Sequence, residues 1–89
     1  MEMIDKKILN KLSRIDLDEK ILSRISDVAL GFRFLGDLIS PPMYDYGENL
    51  REDERKIDSI ILGAARFLVN TFGVQIDLDY LRDALNGLE

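Results

Sequence analysis

The stretch that decides the fold runs from Ile21 to Ile39 and reads ILSRISDVALGFRFLGDLI. Apolar residues recur within it at steps of four, three, four, three and four. They are Ile21, Ile25, Val28, Phe32, Leu35 and Ile39. Because an α-helix turns once every 3.6 residues, this spacing places all of them on one side of a helix, in a stripe centred on Phe32.

A second stripe follows the break at Pro41-Pro42. It repeats the same steps at Ile57, Ile61, Ala64 and Leu68. Two long helices joined by about ten residues fold back on each other as an antiparallel hairpin. We therefore predict paired helices over 17–39 and 50–72. In a symmetric hairpin Gly63 falls across from Ser26, and two small residues at that level would let the backbones approach closely.

Two shorter amphipathic helices, over 2–14 and 77–87, are expected to flank the hairpin. The first carries its lysines, including Lys11, on the side predicted to face water. Asp16 followed by Glu19 fits a capping box at the start of the second helix. The sequence thus predicts an all-α, four-helix arrangement that forms a single domain over residues 1–89.

Capping chemistry also sets the two boundaries near the carboxyl end of the chain. Gly73 follows the second stripe and is the expected left-handed stop of the helix over 50–72. Asp77 lies directly before the last apolar run, where an N-cap is expected. Ile76 and Leu81 are spaced for a hydrophobic staple across that cap.

Composition excludes several classes of function. The 89 residues include neither cysteine nor histidine, so disulfides, thiolate metal sites and histidine-based proton transfer are not expected. The net charge of -5 disfavours binding to phosphate backbones. No signal-peptide pattern and no run of ~20 apolar residues is present, so we expect a cytoplasmic protein that does not enter membranes. The closing Leu88-Glu89 is either native or a cloning remnant.

The apolar surface of both long helices is too wide for one partner each. Leu30, Phe34 and Leu38 lie opposite the main stripe of the first, and the second spreads its apolar residues over roughly 220°. Either the short helices cover this surplus in a closed monomer, or it forms a subunit interface. We expect a homodimer that uses Leu30, Phe34 and Leu38, or part of the Phe67 side, because large apolar patches are unusual on soluble monomers.

The segment over 40–49 is the one clear predicted loop. Its Met43, Tyr44 and Tyr46 follow two prolines, and such side chains on a stiff loop suit contact with a protein partner. The alternative is that the tyrosines fold back over the open end of the hairpin.

Candidate chemistry is sparse. The acidic clusters all precede predicted helices, where capping and the helix dipole favour acids, so neither a catalytic pair nor a metal site is expected. The serines lack a histidine base, and no cofactor-binding motif is present. A helix-turn-helix over 65–84 has the right length, but its recognition helix would carry Asp77, Asp79 and Asp83 against Arg82 alone. Nucleic acid is therefore an unlikely ligand.

The function that this pattern predicts is a non-enzymatic protein–protein interaction module. It would act as a small regulator, adaptor or inhibitor through its helix faces and the 40–49 loop. One alternative is an assembly or secretion chaperone that shields an apolar segment of a client. A DNA-binding regulator and a small enzyme that uses carboxylates alone are the remaining alternatives.

Overall fold

The computed structural model describes residues 6–39 and 50–88, with the side chains of residues 6–33, 35 and 54–88. Within these ranges the chain forms four helices and no strand: α1 Lys6–Ser13, α2 Glu19–Ile39, α3 Leu50–Phe72 and α4 Leu78–Gly87. The predicted all-α, four-helix arrangement is therefore confirmed.

The start of α2 lies two residues later than predicted, because a different aspartate caps the helix. Asp18 accepts a hydrogen bond from the backbone N–H of Lys20 at 2.8 Å through its Oδ1. The Asp18 carbonyl oxygen accepts from the Leu22 N–H at 2.9 Å. Upstream, the Leu17 N–H donates to the Ile15 carbonyl at 3.0 Å, which places Asp16 in a tight connection before the helix. The predicted capping box from Asp16 to Glu19 is wrong.

The junction between α3 and α4 follows the prediction closely. Gly73 has a φ of 68°, and its N–H donates to the Val69 carbonyl at 3.1 Å, which closes the last turn of α3. Asp77 caps α4, with Oδ1 accepting from the Tyr80 N–H at 3.0 Å. Ile76 is partly buried against the core that contains Leu81, as a hydrophobic staple requires.

The core lies where α3 meets the other three helices, all of which contact it. The four residues of the predicted α3 stripe are all buried, and so is the neighbouring Ala65. The remaining buried apolar residues are Ile8, Leu12, Ile15, Ile25, Ala29, Leu81 and Leu85. The second predicted stripe is thus confirmed along its whole length.

The first stripe is only partly buried, and the predicted hairpin register is wrong. If Ser26 faced Gly63, Phe32 would face Ile57. The Phe32 ring instead contacts the Phe67 ring, ten residues or about 15 Å further along α3. A Cβ built at Gly63 meets no atom within 4 Å, so no backbone approaches closely there. The turn of the predicted hairpin, over 40–49, lies outside the described residues.

Lys11 corrects the prediction that all the lysines of α1 face water. Its side chain is only 6% exposed, and Nζ donates a hydrogen bond to Glu54 Oε2 at 3.0 Å. Nζ also lies 2.7 Å from Oδ1 of Asp58, an ion pair whose angle is not that of a hydrogen bond. Burial lowers the pKa of Lys11, but the two carboxylates outweigh this effect and leave the pKa above its usual 10.5. Lys11 therefore links α1 to α3 through ion pairs with two carboxylates.

Candidate interaction surface

Among the α2 residues whose side chains the structure describes, the last buried one is Ala29, one turn before the residue predicted to lie at the centre of the stripe. Ile25 and Ala29 are fully buried, whereas Phe32 and Leu35 are exposed. All four lie on the same side of the helix. The apolar side of α2 therefore continues past the part of the core that covers it.

On α3, two phenylalanines extend the same exposed region. Phe67 directly follows the exposed Arg66 and precedes the buried Leu68, and Phe72 forms the last residue of the helix. The Phe32 and Phe67 ring centroids lie 5.9 Å apart with an interplanar angle of 85°. Those of Phe67 and Phe72 lie 5.8 Å apart at 75°. Edge-to-face contacts of this kind hold the three rings as one unit.

We call Phe32, Leu35, Phe67 and Phe72 the aromatic surface. Their exposed fractions are 37%, 53%, 41% and 62%. These fractions amount to about 400 Å² of apolar surface, if a fully exposed side chain of this size presents ~200 Å². An apolar patch of this size is comparable to the largest patch on a typical monomer, and such a patch is often an interaction site.

Two glycines adjoin this surface. Gly63 lies one turn before Phe67, and Gly31 lies one turn before Leu35, so each shares a helix face with an exposed apolar side chain. Both glycines are exposed, and a Cβ at either would meet no atom within 4 Å. The surface thus combines projecting side chains with stretches of bare backbone.

The residues predicted from the sequence to bind a partner coincide only in part with this surface. Leu30 is partly buried. The side chains of Phe34 and Leu38, and the whole of Met43, Tyr44 and Tyr46, lie outside the described residues. The alternative prediction, an interface on the Phe67 side, names a residue that the structure does expose. Sequence reasoning missed Phe32 and Leu35, because it assigned both to the buried stripe.

Two observations on the described residues bear on catalysis. Among them, no group of histidine, cysteine, aspartate or glutamate is arranged to hold a metal ion. A broad depression lined by Val69, Val74, Ile76 and Asp77 is wide open to solvent, so it cannot exclude water from a reaction.

The exposed side of α4 is acidic. Asp79 and Asp83 both lie close to Arg82, at 3.5 and 3.8 Å, and all three side chains are exposed. An arginine already paired with two carboxylates is poorly placed to contact a phosphate.

No helix in the described part of the chain combines the length and the apolar character that crossing a bilayer requires. Comparisons of the chain with protein-family models, with curated proteins and with solved structures give no match.

Proposed function

We propose that this chain is a non-enzymatic protein–protein interaction module that binds its partner through the aromatic surface. One observation carries the proposal: the Phe67 ring contacts the rings of Phe32 and Phe72, and all three are left 37–62% exposed instead of joining the core. Phenylalanine side chains that remain in water do not contribute the favourable free energy of burial. A partner that covers them would gain this free energy on binding.

The chemistry of the surface also supports binding to protein. Aromatic side chains are enriched among the residues that dominate binding energy at protein interfaces. Because the three rings support one another, they lose little conformational freedom when a partner covers them. The acidic side of α4 disfavours nucleic acid, and the described residues offer no enclosed site for a small substrate.

The test is affinity capture with the full chain as bait and quantification of bound proteins by mass spectrometry. Phe72→Ser removes the most exposed ring, at the end of its helix, where the effect on folding is smallest. Tyr80→Ser is the matched control, because Tyr80 is an aromatic residue 42% exposed on α4, outside the aromatic surface.

We expect at least one protein to bind the wild type and Tyr80→Ser but to be depleted with Phe72→Ser. Circular dichroism of each bait must show the same helical content. If the captured proteins are the same for all three baits, and the chain does not bind a second copy of itself through Phe72 either, the aromatic surface binds no protein and the proposal fails.

A further inference from the structure

We infer that the partner covering the aromatic surface is a second copy of this chain, held in a two-fold symmetric dimer. The inference rests on the proposed function and names its partner. Three features of the surface support it: its area, the position of its two glycines and the lack of charge among its four side chains.

The area matches a small symmetric dimer. Two copies would bury about 800 Å² of apolar surface between them. If apolar atoms make up about 65% of a homodimer interface, the whole interface covers about 1,200 Å². This is the lower end of the range for specific complexes. Because area alone does not set affinity, the test below covers a wide range of protein concentration.

Among the described residues, nothing within one copy of the chain packs against the position of a side chain at either glycine. Glycine in a helix interior is unfavourable relative to alanine. The part of the chain that the structure describes gives no reason for glycine at Gly31 or Gly63, where a Cβ would enter open space. Contact between two copies would explain why glycine occupies these positions. A helix without a side chain there lets a projecting side chain of the other copy approach its backbone closely.

A two-fold interface must be self-complementary, because the same surface of both copies forms it. If one residue of the first copy contacts a second residue of the other, the reverse contact also occurs. The aromatic surface has projections at Leu35 and Phe67, and a glycine one turn before each. Its four side chains carry no charge, so two copies can meet without opposing like charges at the centre. Arg66 lies about 100° round the helix from Phe67, at the rim.

The test is sedimentation equilibrium of the full chain from 1 to 500 μM, with the four variants below each checked for helical content by circular dichroism. We expect the mass to rise with concentration from the 10.2 kDa of one copy towards twice that value. Phe72→Ser and Phe67→Ser should each weaken association at least tenfold, and Tyr80→Ser should leave it unchanged. A wild type that remains at 10.2 kDa up to 500 μM overturns the inference.

The variant Gly63→Ala distinguishes two explanations for this glycine: that it lies in a dimer interface, or that it is only an unfavourable residue in the helix. The added methyl group favours the helix of a single copy, so the melting temperature at 1 μM should rise. The same methyl group blocks the approach of the second copy, so the dissociation constant should rise at least tenfold. Unchanged association in Gly63→Ala, or a dimer that persists in both phenylalanine variants, overturns the inference.

The two proposals can fail independently. If the wild type is monomeric but Phe72→Ser loses a different captured protein, the surface binds another partner and only the dimer is wrong. If neither self-association nor capture depends on Phe72, both proposals are wrong.

Discussion

Glycine has two opposite roles in the region of α3. Gly73 has a φ of 68°, a conformation that side chains with a Cβ rarely adopt, and it ends the helix. Gly63 lies in the helix interior with open space where its side chain would be. The same substitution should therefore have opposite effects on the free energy of unfolding at the two positions.

Gly63→Ala should raise the free energy of unfolding by about 0.5–1 kcal/mol, because alanine has the higher helix propensity. Gly73→Ala should lower it by about 1 kcal/mol, because the left-handed conformation strains an alanine. Urea unfolding of both variants at 1 μM, where self-association is weakest, checks the pair. Equal signs for the two variants would contradict the assignment of Gly73 as the helix stop.

Asp77 shows how one hydrogen bond sets a helix boundary. Its Oδ1 accepts from the N–H of Tyr80, which otherwise has no partner within the first turn of α4. Asp77→Ala should therefore lower the free energy of unfolding by about 1 kcal/mol. Asp79→Ala is the control, because Asp79 lies in the same turn and should change stability much less. Equal losses for the two variants would mean that charge near the helix start, not the cap, provides the stabilisation.

At the scale of the elements, α1 depends on a charged contact as well as an apolar one. The described part of the helix has eight residues, with Ile8 and Leu12 in the core, and the propensity of so short a segment cannot hold it folded. Lys11 joins it to Glu54 and Asp58 on α3. The cation compensates Asp58, whose side chain is only 13% exposed.

Lys11→Met should lower the free energy of unfolding by about 2 kcal/mol, because it leaves the Asp58 carboxylate buried without a cation. The double variant Lys11→Met with Asp58→Leu should recover part of this loss, since it removes the unpaired charge. Lys6→Met, at an exposed position of α1, should have little effect. Chemical denaturation of the wild type, Lys11→Met, Asp58→Leu and the double variant measures the coupling, and strictly additive losses would show that the ion pair contributes nothing.

The pH dependence of this contact follows from the raised pKa of Lys11. A raised pKa in the folded state means that the stabilisation is complete below the unfolded value of about 10.4 and is lost as the pH rises through the folded value. The stability difference between wild type and Lys11→Met should therefore be constant from pH 7 to about 9.5 and shrink above pH ~10.5. Comparing the two proteins cancels the titration of tyrosines, and a difference that grows at high pH would contradict the sign.

At the scale of the whole molecule, the small size of the chain and its exposed apolar surface both limit the stability of a single copy. A chain of 89 residues buries only about 60–65% of the surface that its unfolded form exposes, so its stability is modest. The aromatic surface leaves more apolar area uncovered. Covering that area in a dimer would add stability that depends on protein concentration.

The melting temperature of the wild type should therefore rise by several degrees between 5 and 500 μM. Phe72→Ser should remove most of this dependence, and Tyr80→Ser should retain it. Scanning calorimetry at both concentrations checks the prediction. A melting temperature that is constant over this range would mean that no dimer stabilises the fold.

Local features of this protein could be predicted from the sequence because residues close along the chain create them. The buried side of α3, the cap at Asp77 and the stop at Gly73 depend on the helical period and on hydrogen bonds within a few residues. The sequence thus determined the all-α class, the approximate extent of the helices and the α3 contribution to the core.

Tertiary structure alone decided how far the burial of α2 extends and whether Lys11 faces water. The period of 3.6 residues shows which side of a helix is apolar, but not where along the axis its partner ends. Phe32 is exposed because the core that covers Ile25 and Ala29 does not continue over it. Lys11 is buried because two acids 43 and 47 residues away along the chain lie within 3.0 Å of its Nζ. Both outcomes depend on which distant residues meet.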